Sequence, residues 1–150
     1  MPLEEVSDDE ILYRRFQIGH YNTCQLTGKK VISSQAFTDR ARKVSVDRAK
    51  INCDEPSKTQ ILPTDGVVEL LAGKVRNVSD ISKNDAKGNL LQLQTLLVTA
   101  DPIKDDDELP DNSAHALIYA SPDHDNRAVF NRVIEALALL AIVKISASSS

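Results

Sequence analysis

At 150 residues the chain suits one domain around one hydrophobic core, and its 41% hydrophobic and 27% charged residues match ordinary globular composition, which excludes a fibrous or wholly disordered protein. A net charge of −4 provides no long-range attraction to a phosphate backbone, so nucleic-acid binding is the least favoured function. The longest apolar run, residues 136–143, is far shorter than the roughly 20 residues of a membrane-crossing helix, so no membrane association is expected.

Residues 1–8 are acidic and read as a flexible tail, residues 9–144 as a single α+β domain, and residues 145–150 as a second flexible tail. The opening Met-Pro-Leu-Glu-Glu lacks the basic and apolar regions of a secretory signal, which points to the cytoplasm and leaves Cys24 and Cys53 as thiols. The two cysteines lie far apart without a CxxC partner, so no metal is expected, and no sequence feature calls for a cofactor.

Ile11–Phe16 mixes large apolar and basic residues and reads as a strand, followed by an irregular connection over residues 17–29. Residues 30–37 read as extended, and Val44-Ser45-Val46 as a short strand after which Asp47 caps a helical turn through Ile51. A loop punctuated by Pro56 and Pro63 leads into the apolar run Gly66–Leu71, a buried strand or the start of a helix that Gly73 interrupts. Residues 77–89 are polar and read as an exposed loop. Residues 90–99 alternate like a strand, with Leu91, Leu93, Thr95 and Leu97 on one face and Gln92 and Gln94 on the other. The acidic run Asp105–Glu108 is a solvated loop without the spacing of a calcium loop, and Ala114–Tyr119 is the next strand.

A helix over residues 122–143 is the plainest element, capped by Ser121, with Pro122 in its first turn. Val129, Phe130, Val133, Ile134, Leu137 and Leu140 form its apolar stripe, which fits a helix laid on a small mixed or antiparallel sheet. Beyond Glu135 the helix turns apolar all round, and Leu137, Leu139, Leu140, Ile142 and Val143 become a candidate surface for a protein partner or a homo-oligomer.

Phosphate-loop, dinucleotide, nucleophile-elbow and zinc-protease signatures are all missing, so candidate chemistry rests on polar residues beside strands. Ser45, His115, Arg14 and Arg15 are the catalytic candidates, and Ser33, Ser34, Asp47, Arg48 and His115 the binding candidates. Arg14 and Arg15 are adjacent, so on a strand only one of them faces a given side.

Three motifs run in order along the chain: Ser33-Ser34-Gln35-Ala36-Phe37, Val44-Ser45-Val46-Asp47-Arg48, and Asn112-Ser113-Ala114-His115-Ala116. Together they resemble an uncharacterised family of small bacterial proteins whose pattern is Ser-Ser-x-Ala-Phe, Leu-Ser-Val-Asp and Asn-Pro-Ala-His-Ala. This chain departs from it at Val44 and Ser113. The resemblance implies a bacterial cytoplasmic setting and a shared polar site built from the three motifs, and it supplies no activity.

The function expected from the sequence is a non-catalytic binding or accessory subunit acting with a protein partner. The alternative is an enzyme on a nucleotide-like substrate, of ADP-ribosyltransferase-like or similar organisation, with an arginine holding phosphate, Ser45 positioning the substrate and His115 as acid or base.

Overall fold

In the computed structural model, which describes residues 5–149, the fold is α+β. Its strands are β1 (Ile11–Phe16), β2 (Tyr21–Thr23), β3 (Lys30–Ile32), β4 (Val44–Arg48) and β5 (Gly66–Leu71), then β6 (Ser82–Asn84), β7 (Leu90–Leu93), β8 (Thr95–Ala100), β9 (His115–Ser121) and β10 (Ile142–Ile145). Helix α1 (Ala72–Arg76) follows β5, and α2 (Arg127–Leu140) joins β9 to β10. Six strands form one antiparallel sheet in the order β10-β5-β1-β4-β9-β8, while β2–β3 and β6–β7 are separate hairpins.

Period-two alternation decides what each face of the sheet carries. Leu12, Phe16, Val44, Val46, Val68, Leu70, Leu96, Val98, Ala116 and Ile118 share one buried core with Val129, Phe130, Val133, Ile134 and Leu137 of α2. On the opposite face Tyr13 and Val67 form a smaller cluster with Ala49. Gly66 permits the closest approach in the core. A Cβ there would lie 2.4 Å from the Phe16 ring and 2.8 Å from the Ala147 nitrogen, so only glycine fits.

Several local expectations change. The extended run stops at Ile32, because the Ser33 hydroxyl accepts the Gln35 N–H and starts a 3-10 turn over Ser34–Phe37 that buries Phe37. Residues 17–29 hold a 3-10 turn, Ile18–His20, and the β2 strand. Asp47 does not cap a helical turn but stays within β4. Gly73 lies inside α1, and the polar stretch 77–89 contains β6.

Residues 90–99 are two strands, and the face that carries Gln94 is the buried one. Gln94 is buried together with Leu96 and Val98, while Leu91 and Leu93 are exposed. The Gln94 side chain donates to Asp123 Oδ2 and accepts the Asp123 N–H, each at 2.8 Å, which satisfies the amide away from water.

The last helix starts later and ends earlier than its sequence pattern. Asn126, whose Oδ1 accepts the Val129 N–H, is the cap; Ser121 ends β9, and the Ser121–Pro122 bond is cis. After Leu140 the chain turns at Ala141 and runs back as β10 along β5, so Ile142 and Val143 belong to a sheet edge and not to a helix face. Leu137 is a fully buried core residue and Leu140 packs against the same core, which removes both from an open partner surface; Leu139 is 88% exposed.

The stretch expected as a C-terminal tail begins inside β10, and Ala147 is buried. At the other end the expected acidic tail lies outside the described residues up to position 4, whereas Val6 sits in the core. No helix among the described residues is long and apolar enough to cross a membrane.

Candidate functional site

Strand β1 pairs with β4 only at Leu12–Arg48 and Tyr13–Asp47, with the Ala49 N–H just past β4 donating to the Ile11 carbonyl at 2.9 Å, and towards Ser45 the main-chain pairing stops. Ser45 therefore turns a backbone N–H and C=O towards β1 with no ladder to join. Two side chains take the place of the missing strand. The Ser45 N–H donates to Asp39 Oδ2 at 3.1 Å, and the Ser45 carbonyl accepts from Arg14 Nη1 at 2.8 Å. Arg14 also donates from Nε to the Ala36 carbonyl at 2.8 Å and from Nη2 to the Thr38 carbonyl at 3.0 Å, with Asp39 Oδ2 3.4 Å from Nη1. Burial pulls this guanidinium below its usual value, and the neighbouring Asp39 charge opposes the shift. Arg14 thus acts as a wedge bonded on several sides.

The split opens a cleft of about 770 Å³. Its lining includes Arg15, His20, Ser45, Asp47, Lys58 and His115. Asp47 ties two walls together. Its Oδ2 accepts from Thr59 Oγ1 and its Oδ1 from Asn112 Nδ2, both at 2.8 Å, and the Asn112 Oδ1 in turn accepts the Ala114 N–H. His115 stands opposite Asp47 in the β4–β9 register. Its Nδ1 lies 2.9 Å from the Asp101 carbonyl and 3.1 Å from Asp101 Oδ2, so that nitrogen carries a proton and Nε2 has no partner among the described residues.

Arg15 differs from its neighbour. It is exposed, lines the cleft, and makes no hydrogen bond or ion pair with any described residue. Nearby His20 accepts the Gln17 N–H at Nδ1. Burial lowers the affinity of this imidazole for a second proton, and the charges of Arg14 and Arg15 lower it further.

All three sequence motifs reach this region: Gln35 and Ala36 from the first, Ser45 and Asp47 from the second, Asn112 and His115 from the third. Ser33 and Ser34 do not line it; Ser33 is used to start the 3-10 turn beside it. Arg48 is also placed elsewhere. One residue beyond Asp47, it faces the helix side, 3% exposed, where Nε and Nη2 bond Glu10 Oε1 and Oε2 at 2.8 and 2.9 Å. That makes it half of a buried ion pair, which contradicts a binding role in the cleft.

His20, Asp39, Lys58 and Asp101 were not expected at the site. Each comes from a loop or a short 3-10 turn whose sequence neighbours carry no periodic signal, and only folding brings them to the strands. Asn112 had a signal within the third motif, since an Asn two residues before Ala114 suits a side-chain bond to that N–H. Among the described residues no three His, Cys, Asp or Glu side chains gather as a metal site. No family model, curated protein or solved structure matches the chain.

Proposed function

We propose that the protein is a non-catalytic binding or accessory subunit acting with a protein partner in a bacterial cytoplasmic system, and that the cleft beside β1 receives that partner. What supports this reading is the engagement of the cleft's polar groups. Arg14, Asp39, Asp47 and Asn112 are each tied into the fold, where they hold the walls apart and rigid. A preformed concave site of this kind favours recognition, because little ordering remains to be done on binding.

The test is co-purification from bacterial extract with mass spectrometry and sedimentation, comparing the full chain with a Lys58→Glu, Ile61→Arg double variant at the cleft. Both residues are exposed. A specific protein that forms a heavier complex with the full chain and is lost with the variant is the expected result. A chain that stays monomeric without a specific partner, or a partner held equally by both proteins, overturns the proposal.

A second reading, an enzyme acting on a nucleotide-like substrate, is favoured by one observation. His115 is oriented by Asp101 through Nδ1, in a cleft that also contains Arg15 and Ser45. An imidazole held in this way presents an unpartnered Nε2 for proton transfer. Turnover of a nucleotide by the purified chain that His115→Gln abolishes, with folding intact, is the outcome that establishes it; absence of turnover across nucleoside mono- and diphosphates and dinucleotides removes it.

A further inference from the structure

We infer that Arg15 is the anchor for an oxyanion, a phosphate or carboxylate group carried by the molecule that occupies the cleft. The inference rests on the cleft being a binding site, as proposed above, and assigns the chemistry of what it binds.

Arg15 presents donors in a fixed fork that matches a carboxylate or phosphate bidentately, and no described residue occupies them. Two carboxylates that line the same cleft are engaged with other partners. Asp39 accepts from Arg14 and the Ser45 N–H, and Asp47 accepts from Thr59 and Asn112. The donors of Arg15 are therefore open to an external anion.

His20 provides a second donor on the same lining. Because its Nδ1 accepts the Gln17 N–H, the proton of the neutral ring resides on Nε2. Arg14 and Arg15 both place positive charge near His20, which favours an incoming negative group there. A cleft of about 770 Å³ falls within the usual range for drug-sized ligands and is much larger than a bare phosphate requires, so the anion is one part of the ligand.

The experiment is titration of the full chain with inorganic phosphate, adenosine monophosphate and N-acetylglutamate at matched ionic strength. Heat of binding and melting temperature are recorded against chloride. At least one anion should bind and raise the melting temperature, and Arg15→Ala and Arg15→Gln should each weaken that binding by about tenfold or more while melting normally without ligand. Preference for phosphate or for carboxylate identifies the source, and tighter binding of adenosine monophosphate than of phosphate shows that the rest of the cleft is used. No binding by any of the three, or equal binding by the Arg15 variants, overturns the inference. Partner capture that persists in that case leaves the proposed function standing and removes only the oxyanion.

Discussion

Along β1 all six residues pair with β5, but only Leu12 and Tyr13 pair with β4, and the two junctions are held by different chemistry. The β5 side is a main-chain ladder backed by Val67, Val68 and Leu70. On the β4 side two arginines flank a short ladder: Arg48 with Glu10 beyond one end, Arg14 with Asp39 beyond the other. A gap between interior strands persists only where the freed backbone groups find partners, and here Arg14 and Asp39 supply them for Ser45. The cleft is therefore a built opening of the sheet and not a frayed edge.

The sharpest way to break this arrangement is to remove one member of the buried pair. Glu10→Ala removes the carboxylate that bonds Arg48 at Nε and Nη2 and should cost about 3–5 kcal/mol in denaturant unfolding. A loss below about 1 kcal/mol would mean that water reaches Arg48 and that this end of the junction is not dry.

Arg14→Ala removes the donor to three carbonyls at once and should cost about 1–3 kcal/mol, less than the buried pair because water enters the open cleft. Hydrogen exchange sharpens the contrast. The Ser45 amide should exchange faster in this variant while amides of β5 keep their protection; equal acceleration in β5 would show that the two junctions open as one unit.

The pH dependence follows from Glu10. Burial alone raises its carboxyl, but the hydrogen bonds from Arg48 and from the Ser7 N–H, with the charges of Arg48 and Lys50, carry it below the ordinary value of 4.5. A depressed carboxylate contributes stability that is fully present above the unfolded value and is lost as pH falls through the lower folded value. Unfolding below pH 4.5 should thus become easier in the native chain, and Glu10→Gln should flatten that acid limb. An unchanged limb in the variant would assign it to other carboxylates.

The smallest expected effect is at Arg15, adjacent to Arg14 yet unbonded. Arg15→Ala should shift stability by no more than about 0.5 kcal/mol. A larger loss would show that Arg15 also holds the split open.

Parity explains what was legible in the sequence. Alternation places Ser45 and Asp47 on one face and Arg48 on the other, and sets Arg14 apart from Arg15, but it does not say which face holds the cleft. Strands β1, β4 and β9 and the stripe of α2 are legible from their apolar residues, whereas the continuous apolar run of β5 suits a strand or the start of a helix. Strand β10 does not, because residues 136–143 form a run that suits a helix and a strand equally, and the change at Ala141 is set by the edge of β5. The phase of β8 was hidden by Gln94, whose burial depends on a distant Asp123. The contacts of Asp39, Asp101 and His20 depend on where loops return, which no local pattern encodes.

Strand β10 also bears on how the chain is made. During synthesis β5 emerges well before residues 142–145, and until these arrive its outer row of backbone groups is open to any other extended segment, including one from a neighbouring nascent chain. Only Ala141 separates the end of α2 from the start of β10, so the helix that seals the core and the strand that closes the sheet arrive almost together. Cover for the apolar face and protection of the edge are therefore acquired in one late step, and a ribosome that stops before Ile142 releases a chain with an adhesive border.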